Sequence, residues 1–587
     1  MGHRRWLPME HRFRKDKRAF DGTQELDPAP IVLNGEEIMS QLNTPGFVVD
    51  ESRVGEKRRV GTNEPVKWKK QSIFFTLPYW KDNLLRHNLD VMHIEKNVLD
   101  NIIGTLLDMK GKTKDNYKAR LDLEEMGLRG ELHPVRTDPN KTLLPAACFT
   151  MSNKEKHDFL AVLANVKVPD GYASNVSRCV KLKERCIRGL KSHDSHILMQ
   201  QLMPIALRRT LPNSVVKPLI ELSSFFRDIC SKTLRLEDLD RLEGRIPFIL
   251  CDLERIFPPG FFTVMVHVVI HLVRECKLGG PVHYRWMYPI ERCLHRYKLN
   301  VRNKAAPEGS IAEGYIIEEL LTYCSRYLEN VTTVHNRPPR SVDDSRGAVR
   351  TVELDDTTLK QAHRYILLNT EMFAPFRTMH IEALSQTSTR QRITGEELNK
   401  KHIEEFSDWY RDYVRDMDEI CRNELGEKLK WHAVGPVRSA AEFKRYVSNG
   451  ILFRTIDNDQ GKTTQNSGVS VLCEDGPTYY GVLTRIFELQ YYDGSRDNIT
   501  DDPFILSSQA SQVYYVADER NPNWDVVVQT KPRDVYDVGQ GESNEDNVYN
   551  YVECEPFDLQ IQDTHDVRLD NFDWVRNDIE GIIINNS

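Results

Sequence analysis

The pattern of apolar residues changes character near Ser439, and that change bounds what the chain folds into. Before it, from about Gly111 to Asp418, apolar side chains recur mostly at the three- and four-residue spacing of amphipathic helices. After it, Tyr446–Thr455, Tyr479–Tyr492, Gln512–Ala517 and Trp524–Thr530 are short runs rich in β-branched and aromatic residues, with turn signals such as Asp493-Gly494 between them. A helical part followed by a small, mainly antiparallel β part makes an α+β, multidomain chain. With 587 residues it exceeds a single core, and roughly 150 residues per domain suggests about four units.

Gly127, Pro145, Pro169 and Pro212 break the helical part, and Asp170-Gly171 marks a turn. Leu234–Ile256 reads as a helix bent at Pro247 and stopped by Pro258-Pro259-Gly260. Phe261–Glu275 is nearly all apolar, which predicts a buried helix ended by Gly279-Gly280-Pro281. Tyr284–Arg292 and Glu313–Leu328 are further helical pieces, Asn336–Val349 is a linker, and Lys360–Leu384 and Glu396–Asp418 are amphipathic helices that bridge domains. Upstream, the aromatic run Ser72–Trp80 leads to an extended segment ending near Asp90, then a helix through VLDNIIGTLLDM. A carboxylate at such a junction either caps the helix or is aimed into a site. The resulting boundaries are 1–70, 71–110, 111–233, 234–335, 336–438, 439–540 and 541–587.

The net charge of −7 is unevenly spread. Residues 541–587 hold twelve acidic side chains against Arg568 and Arg576, a net −10, so residues 1–540 carry +3. The acidic, Asn-rich end reads as a disordered tail. At the other end, Arg4, Arg5, Arg12, Arg14, Lys15, Lys17 and Arg18 form one basic cluster, and Arg53, Lys57, Arg58, Arg59, Lys67, Lys69 and Lys70 a second. Such clusters either neutralise phosphates of DNA or are solvated loops. No apolar run reaches the ~18 residues of a membrane span, and the N-terminus has no secretory core, which points to the nucleus or cytoplasm, with no membrane and no small-molecule substrate. Eleven scattered cysteines without a CxxC pair read as reduced thiols.

Three other clusters admit two readings each. His267 and His271 stand four apart, a zinc-compatible spacing, but Val268 occupies the place of the Glu in HExxH, and buried core histidines fit as well. His193-Asp194-Ser195-His196 is either a helix cap or a metal or phosphate contact. Tyr284, Trp286 and Tyr288 either stack on bases or pack in a core.

Two runs carry a resemblance: RHNLDVMHIEKNVLDNIIGTLLDMKGKTKDNYKARLDLEEMGLR (Arg86–Arg129) and GLKSHDSHILMQQLMPIALR (Gly189–Arg208). Both resemble the transposases of plant CACTA (En/Spm-like) elements. Leu250–Leu328, with FPPGFF, MVHVVIHLVRE, GGPVHYRWMYPIER and PEGSIAEGYIIEE, is similar to a domain of unknown function that accompanies them, and Tyr479–Val538 to a second. The resemblance implies a DDE nuclease ancestry on a ribonuclease-H-like core with a large helical insertion, in which residues 71–110 are a remnant of the catalytic core. Three carboxylates of such enzymes hold two Mg²⁺ or Mn²⁺ ions, which clamp the attacking and leaving oxygens of a phosphoryl displacement. The second carboxylate, followed by two residues and a histidine, falls on Asp90 with His93. The third falls on Glu291 in YPIER, with Glu95 the weaker candidate. The family's first aspartate and its CxxC precede the segment with which this chain starts, so the expectation is an incomplete core and a catalytically inactive protein that retains binding to DNA or to other transposase subunits. Between Asp493-Gly494 and Asp501-Asp502 only SRDNIT intervenes, which reads as a deletion that shortens the β domain.

Overall fold

The computed structural model describes residues 2–42, 72–138, 141–170, 172, 176–208, 210–327, 349–388, 395–416, 424–448, 451–472, 478–491, 496–500, 505–506, 509–518, 524–530 and 572–585. The second basic cluster (Arg53–Lys70) and nearly all of the Asn336–Val349 linker lie outside the described residues. The chain forms two compact units. The first contains residues 1–164, 178–299 and 548–587, the second 165–177 and 300–547.

The first unit is built on helices. Its central helix, α1 (Val91–Leu106), buries Val91, Met92, Ile94, Val98, Leu99, Ile102, Ile103 and Leu106, so it is packed on more than one side. α2 (Ser192–Ile197) packs against it, and α3 (Asn213–Ile229) packs on α4 (Leu236–Ile256), which runs through Pro247 without interruption. The apolar run after Phe261 is not one helix. A short helix (Val264–His267) tightens into a 3₁₀ turn (Val268–His271) before α5 (Leu272–Gly279). Consecutive β-branched residues crowd the turn before them. The tighter turn re-aims the run, so that Val266, Val269, Leu272 and Val273 are buried while Val264 is exposed. Next comes α6 (Tyr288–Asn300), none of whose residues is buried.

The basic N-terminus is part of this unit, and here the sequence reading needs correction. Arg4 is 2% exposed, and its guanidinium donates to the carbonyls of Asp16 and Thr23 at 3.0 Å each and to Asp21 Oδ1 at 2.6 Å. Arg14 is equally buried and donates to the carbonyls of Leu7, Arg5 and Asp27 at 3.0, 2.7 and 2.9 Å. Residues 2–27 are thus wound around two internal cations, which satisfy carbonyls that no helix or sheet pairs. Neither Arg4 nor Arg14 is available to a DNA phosphate.

The acidic end also departs from expectation. Among the described residues 572–585, Trp574 is buried and its Nε1 donates to the Arg255 carbonyl at 3.0 Å. Arg576 reaches Glu155 Oε2 at 2.7 Å, and Ile582–Asn585 adds a third antiparallel strand to the hairpin Val135–Asp138/Lys141–Leu144. This segment is structured because it is the apolar part of the tail: FDWV and GIIIN present a ring and a β-branched strand to an open hairpin edge. The hairpin itself lies between the Gly127 and Pro145 breaks of a stretch whose pattern is helical.

The second unit is α+β. A five-stranded antiparallel sheet has the order Ile505–Leu506, Arg496–Thr500, Ile486–Gln490, Ser439–Phe443, Val349–Glu353. On it pack α7 (Asp356–Asn369), α8 (Ala374–Ser388), α9 (Gly395–Asp416) and α10 (Glu424–Val434), in a core that joins Phe373, Phe406 and Tyr410 to Ala440, Phe487 and Leu489. These helices do not bridge domains; they supply the apolar cover that one face of the sheet needs. The stretch read as a deletion holds a full strand, Arg496–Thr500, paired along its length with Ile486–Gln490. A four-stranded sheet, Thr478–Val482, Gly468–Leu472, Ser511–Ala517, Asp525–Gln529, completes the unit. Residues 165–177 join it through Asp170, whose Oδ2 lies 2.5 Å from the Arg454 guanidinium, so 111–233 is not one domain.

Candidate functional site

Asp90 ends an extended segment (φ −71°, ψ 100°) and immediately precedes α1. That segment is clasped from two sides. Asn88 exchanges hydrogen bonds with Arg285, and the Leu89 N–H donates to Glu275 Oε2 at 3.1 Å. Arg285 also meets Glu275 at 3.4 Å, which ties the end of α5 to the loop before α1. Asp90 Oδ1 is buried without a hydrogen-bond partner. Burial raises the pKa of its carboxyl, and the negative charge of Glu291 adds to the rise; the N–H groups of His93 and Met92 at the start of α1 and the His93 ring oppose it. His93 and Glu291 therefore each lie within electrostatic reach of Asp90. Glu291 and His93 are exposed, on the first turns of α6 and α1.

Five residues beyond Asp90, Glu95 points the other way and is fully buried. Its Oε2 lies 2.6 Å from His196 Nδ1 on α2, and Cys230, just past the end of α3, is the third member of a group whose ligand atoms all lie within 4.8 Å of one another. The sequence brought Glu95 forward only as an alternative third carboxylate and gave Cys230 no role, because a lone cysteine among eleven has no informative spacing. Asp194 accepts from the Lys191 N–H at 3.1 Å, so the HDSH motif is a helix cap at Asp194 and a buried contact at His196.

His267 Nδ1 lies 3.1 Å from His3 Nε2, and His3 Nδ1 lies 2.8 Å from Glu254 Oε1. Burial, then the neighbouring His3 and His271, push the His267 pKa down to about 4. His267 is exposed and His271 partly so, and the first joins the buried His3 in a small polar network. Trp286 packs between His283 and His196, with ring centroids 4.9 and 5.9 Å away, whereas Tyr284 is 70% exposed.

Of the remaining N-terminal cations, Arg5 is held by Glu25 and Asp27, and Arg18 pairs with Glu131 at 3.1 Å over the Trp574 ring. Arg12, Lys15, Lys17 and Arg18 are exposed.

Three segments of this chain match known families: residues 1–44 match Transposase family tnp2, 229–342 match Domain of unknown function (DUF4218), and 480–527 match Domain of unknown function (DUF4216). No curated protein and no solved structure matches the chain. The three matches support a transposon-derived, plant transposase-like protein. The DUF4218 match spans α4 to α6 and includes Glu291, and the tnp2 match covers the turns wound around Arg4 and Arg14.

Proposed function

We propose that this is a CACTA-type transposase-derived protein that works in the nucleus on transposon DNA or with other transposase subunits. On this reading its residues descend from a DDE centre on a ribonuclease-H-like core, and the observation that carries it is that Glu291, inside the segment that matches DUF4218, comes close enough to raise the Asp90 carboxyl although the two are far apart in sequence. Both carboxylates are hard oxygen donors of the kind Mg²⁺ or Mn²⁺ takes, and the unpartnered Asp90 Oδ1 fits such an ion. A bound ion supplies Lewis-acid polarisation of a phosphoryl oxygen. Asp90, at the start of α1, and Glu291, in the first turn of α6, would hold it.

Among the described residues, no group of three His, Cys, Asp or Glu side chains with ligand atoms within 4.8 Å of one another includes Asp90 or Glu291. Two carboxylates hold a metal pair poorly, so the chain alone does not cleave DNA in this proposal, and its role is binding. The exposed Arg12, Lys15, Lys17 and Arg18 supply phosphate contacts whose affinity falls with salt. In a nicking assay on terminal-repeat DNA with Mg²⁺ or Mn²⁺, the chain leaves the DNA intact; nicking that disappears on Asp90→Ala would overturn the inactive reading. In filter binding at low salt, duplex DNA is retained by the wild type and less by a Lys15→Ala/Lys17→Ala/Arg18→Ala variant. Absence of retention refutes the DNA role.

A second reading, a protein-interaction scaffold without a nucleic-acid role, is favoured by one feature of the second unit. The helix Pro307–Ser325 exposes Ile316, Ile317, Leu320 and Leu321, each by about half or more. Binding of transposase subunits that persists when DNA retention is lost supports it.

A further inference from the structure

We infer that Glu95, His196 and Cys230 form a structural site for a thiophilic divalent cation, Zn²⁺ by preference, that clamps α1, α2 and the end of α3 together inside the first unit. Three helices distant in sequence each contribute one donor, and their ligand atoms lie within 4.8 Å of one another. Tetrahedral zinc sets its ligand atoms about 3.3–3.8 Å apart, given bonds of about 2.3 Å to sulfur and 2.0–2.2 Å to nitrogen and oxygen. A carboxylate, an imidazole and a thiolate form a ligand set that zinc accepts and Mg²⁺, which favours oxygen, does not.

Two further observations point to a ligand. Glu95 is 0% exposed, yet its Oε1 has no hydrogen-bond partner. A fully buried carboxylate with one bare oxygen is an uncompensated charge unless a cation meets it. His196 Nδ1 is also overcommitted. It faces Glu95 Oε2 at 2.6 Å and the Gln200 amide Nε2 at 3.1 Å, and one ring nitrogen cannot donate to the first while accepting from the second. With a cation bound, the Nδ1 lone pair and the Glu95 carboxylate both point at the metal, and Gln200 keeps its bond to the Phe226 carbonyl at 3.1 Å. The Cys230 thiol gives up its proton on binding, and a water completes the fourth position. Cys230 is 7% exposed and in no disulfide.

The site is distinct from the Asp90–Glu291 pair and does not rest on that reading. It lies deeper along α1 and holds a different class of metal, so its role is to fix the helix that presents Asp90.

The test uses the full chain, stripped with a chelator and titrated with Co²⁺ and Zn²⁺. One equivalent of Co²⁺ is expected to give a thiolate-to-cobalt charge-transfer band, which vanishes in Cys230→Ser and persists in Cys251→Ser, a buried thiol on α4 outside the group. Zn²⁺ raises the melting temperature of the wild type and not of Glu95→Gln. X-ray absorption at the zinc edge on the wild type finds one sulfur at about 2.3 Å and a remainder of nitrogen and oxygen. A wild-type chain that takes up no Co²⁺, a zinc shell without sulfur, or a band that survives Cys230→Ser overturns the inference. The wild-type measurements decide it even if the Cys230 variant does not fold.

Discussion

Arg4 and Arg14 illustrate what a single basic residue does when the surrounding chain wraps it. Each guanidinium is a five-donor fork, and each is set among main-chain carbonyls of residues 5–27. Removing one leaves several acceptors buried and bare. Arg4→Ala is therefore expected to lower the stability of the first unit by about 3 kcal/mol, the scale for breaking a buried pair, whereas Lys17→Ala stays within about 0.5 kcal/mol. Urea denaturation of the two variants separates these roles, and equal midpoints would show that Arg4 is not structural. Arg129 follows the same logic further along: it sits at the C-terminus of α4 and donates to the carbonyls of Ile256, Phe257, Glu254 and Ala19, while burial pushes its pKa down to about 10. In sequence, these arginines are indistinguishable from Arg12 or Arg18. Charge is local information, and burial is not.

At the scale of elements, the contact of α8 with α9 carries a pH dependence. His380 Nδ1 and His402 Nδ1 lie 2.8 Å apart and both rings are buried, so the pair accommodates one shared proton and resists a second. Burial, then the neighbouring His380, push His402 down to about 4, and burial lowers His380 as well. His363, which bonds the Tyr491 hydroxyl at 3.0 Å, is likewise pushed to about 4 by burial. Because these folded-state values lie below the unfolded 6.5, the unfolded chain takes up protons first. Their stabilisation is complete above about pH 6.5 and is lost as the pH falls toward 4. The melting temperature of the second unit should drop across that window, less steeply in His402→Phe, with His363 retaining part of the slope. A flat profile would show that the histidines are not held neutral. The helices themselves were legible from their apolar spacing; that they cover a sheet, rather than connect domains, follows from Phe406 and Tyr410 meeting Phe487 and Leu489 across some 80 residues of chain.

For the whole molecule, the path of the chain matters more than the order of its segments. Each unit takes a piece from elsewhere: the second takes 165–177, and the first takes the end of the chain. The returning segment seals an edge. Gly581 passes so close to the hairpin that a Cβ there would collide with the Leu144 carbonyl oxygen, and Trp574 fills a buried position beside Arg255 and Phe572. Trp574→Ala is expected to destabilise the first unit by roughly 3 kcal/mol, and deletion of residues 572–587 by at least as much. Calorimetry that shows no fall in the melting temperature of either variant would mean the segment only rests on the hairpin. The mixed helical and β character of the chain was readable in advance because helix and strand periodicities are properties of neighbouring residues.

The residues alone determined that a mainly helical part precedes a β-rich part, that a helix follows the extended segment ending near Asp90, and that Arg86–Arg129 and Gly189–Arg208 resemble transposases. Tertiary structure decided which cations are internal, that Glu291 comes within electrostatic reach of Asp90, that the acidic end returns as a strand, and that Glu95, His196 and Cys230 converge. The reason is physical. Periodicity and capping are set within a few residues, whereas burial and ligand geometry depend on contacts between positions from seven to more than four hundred residues apart, for which a single chain carries no local mark.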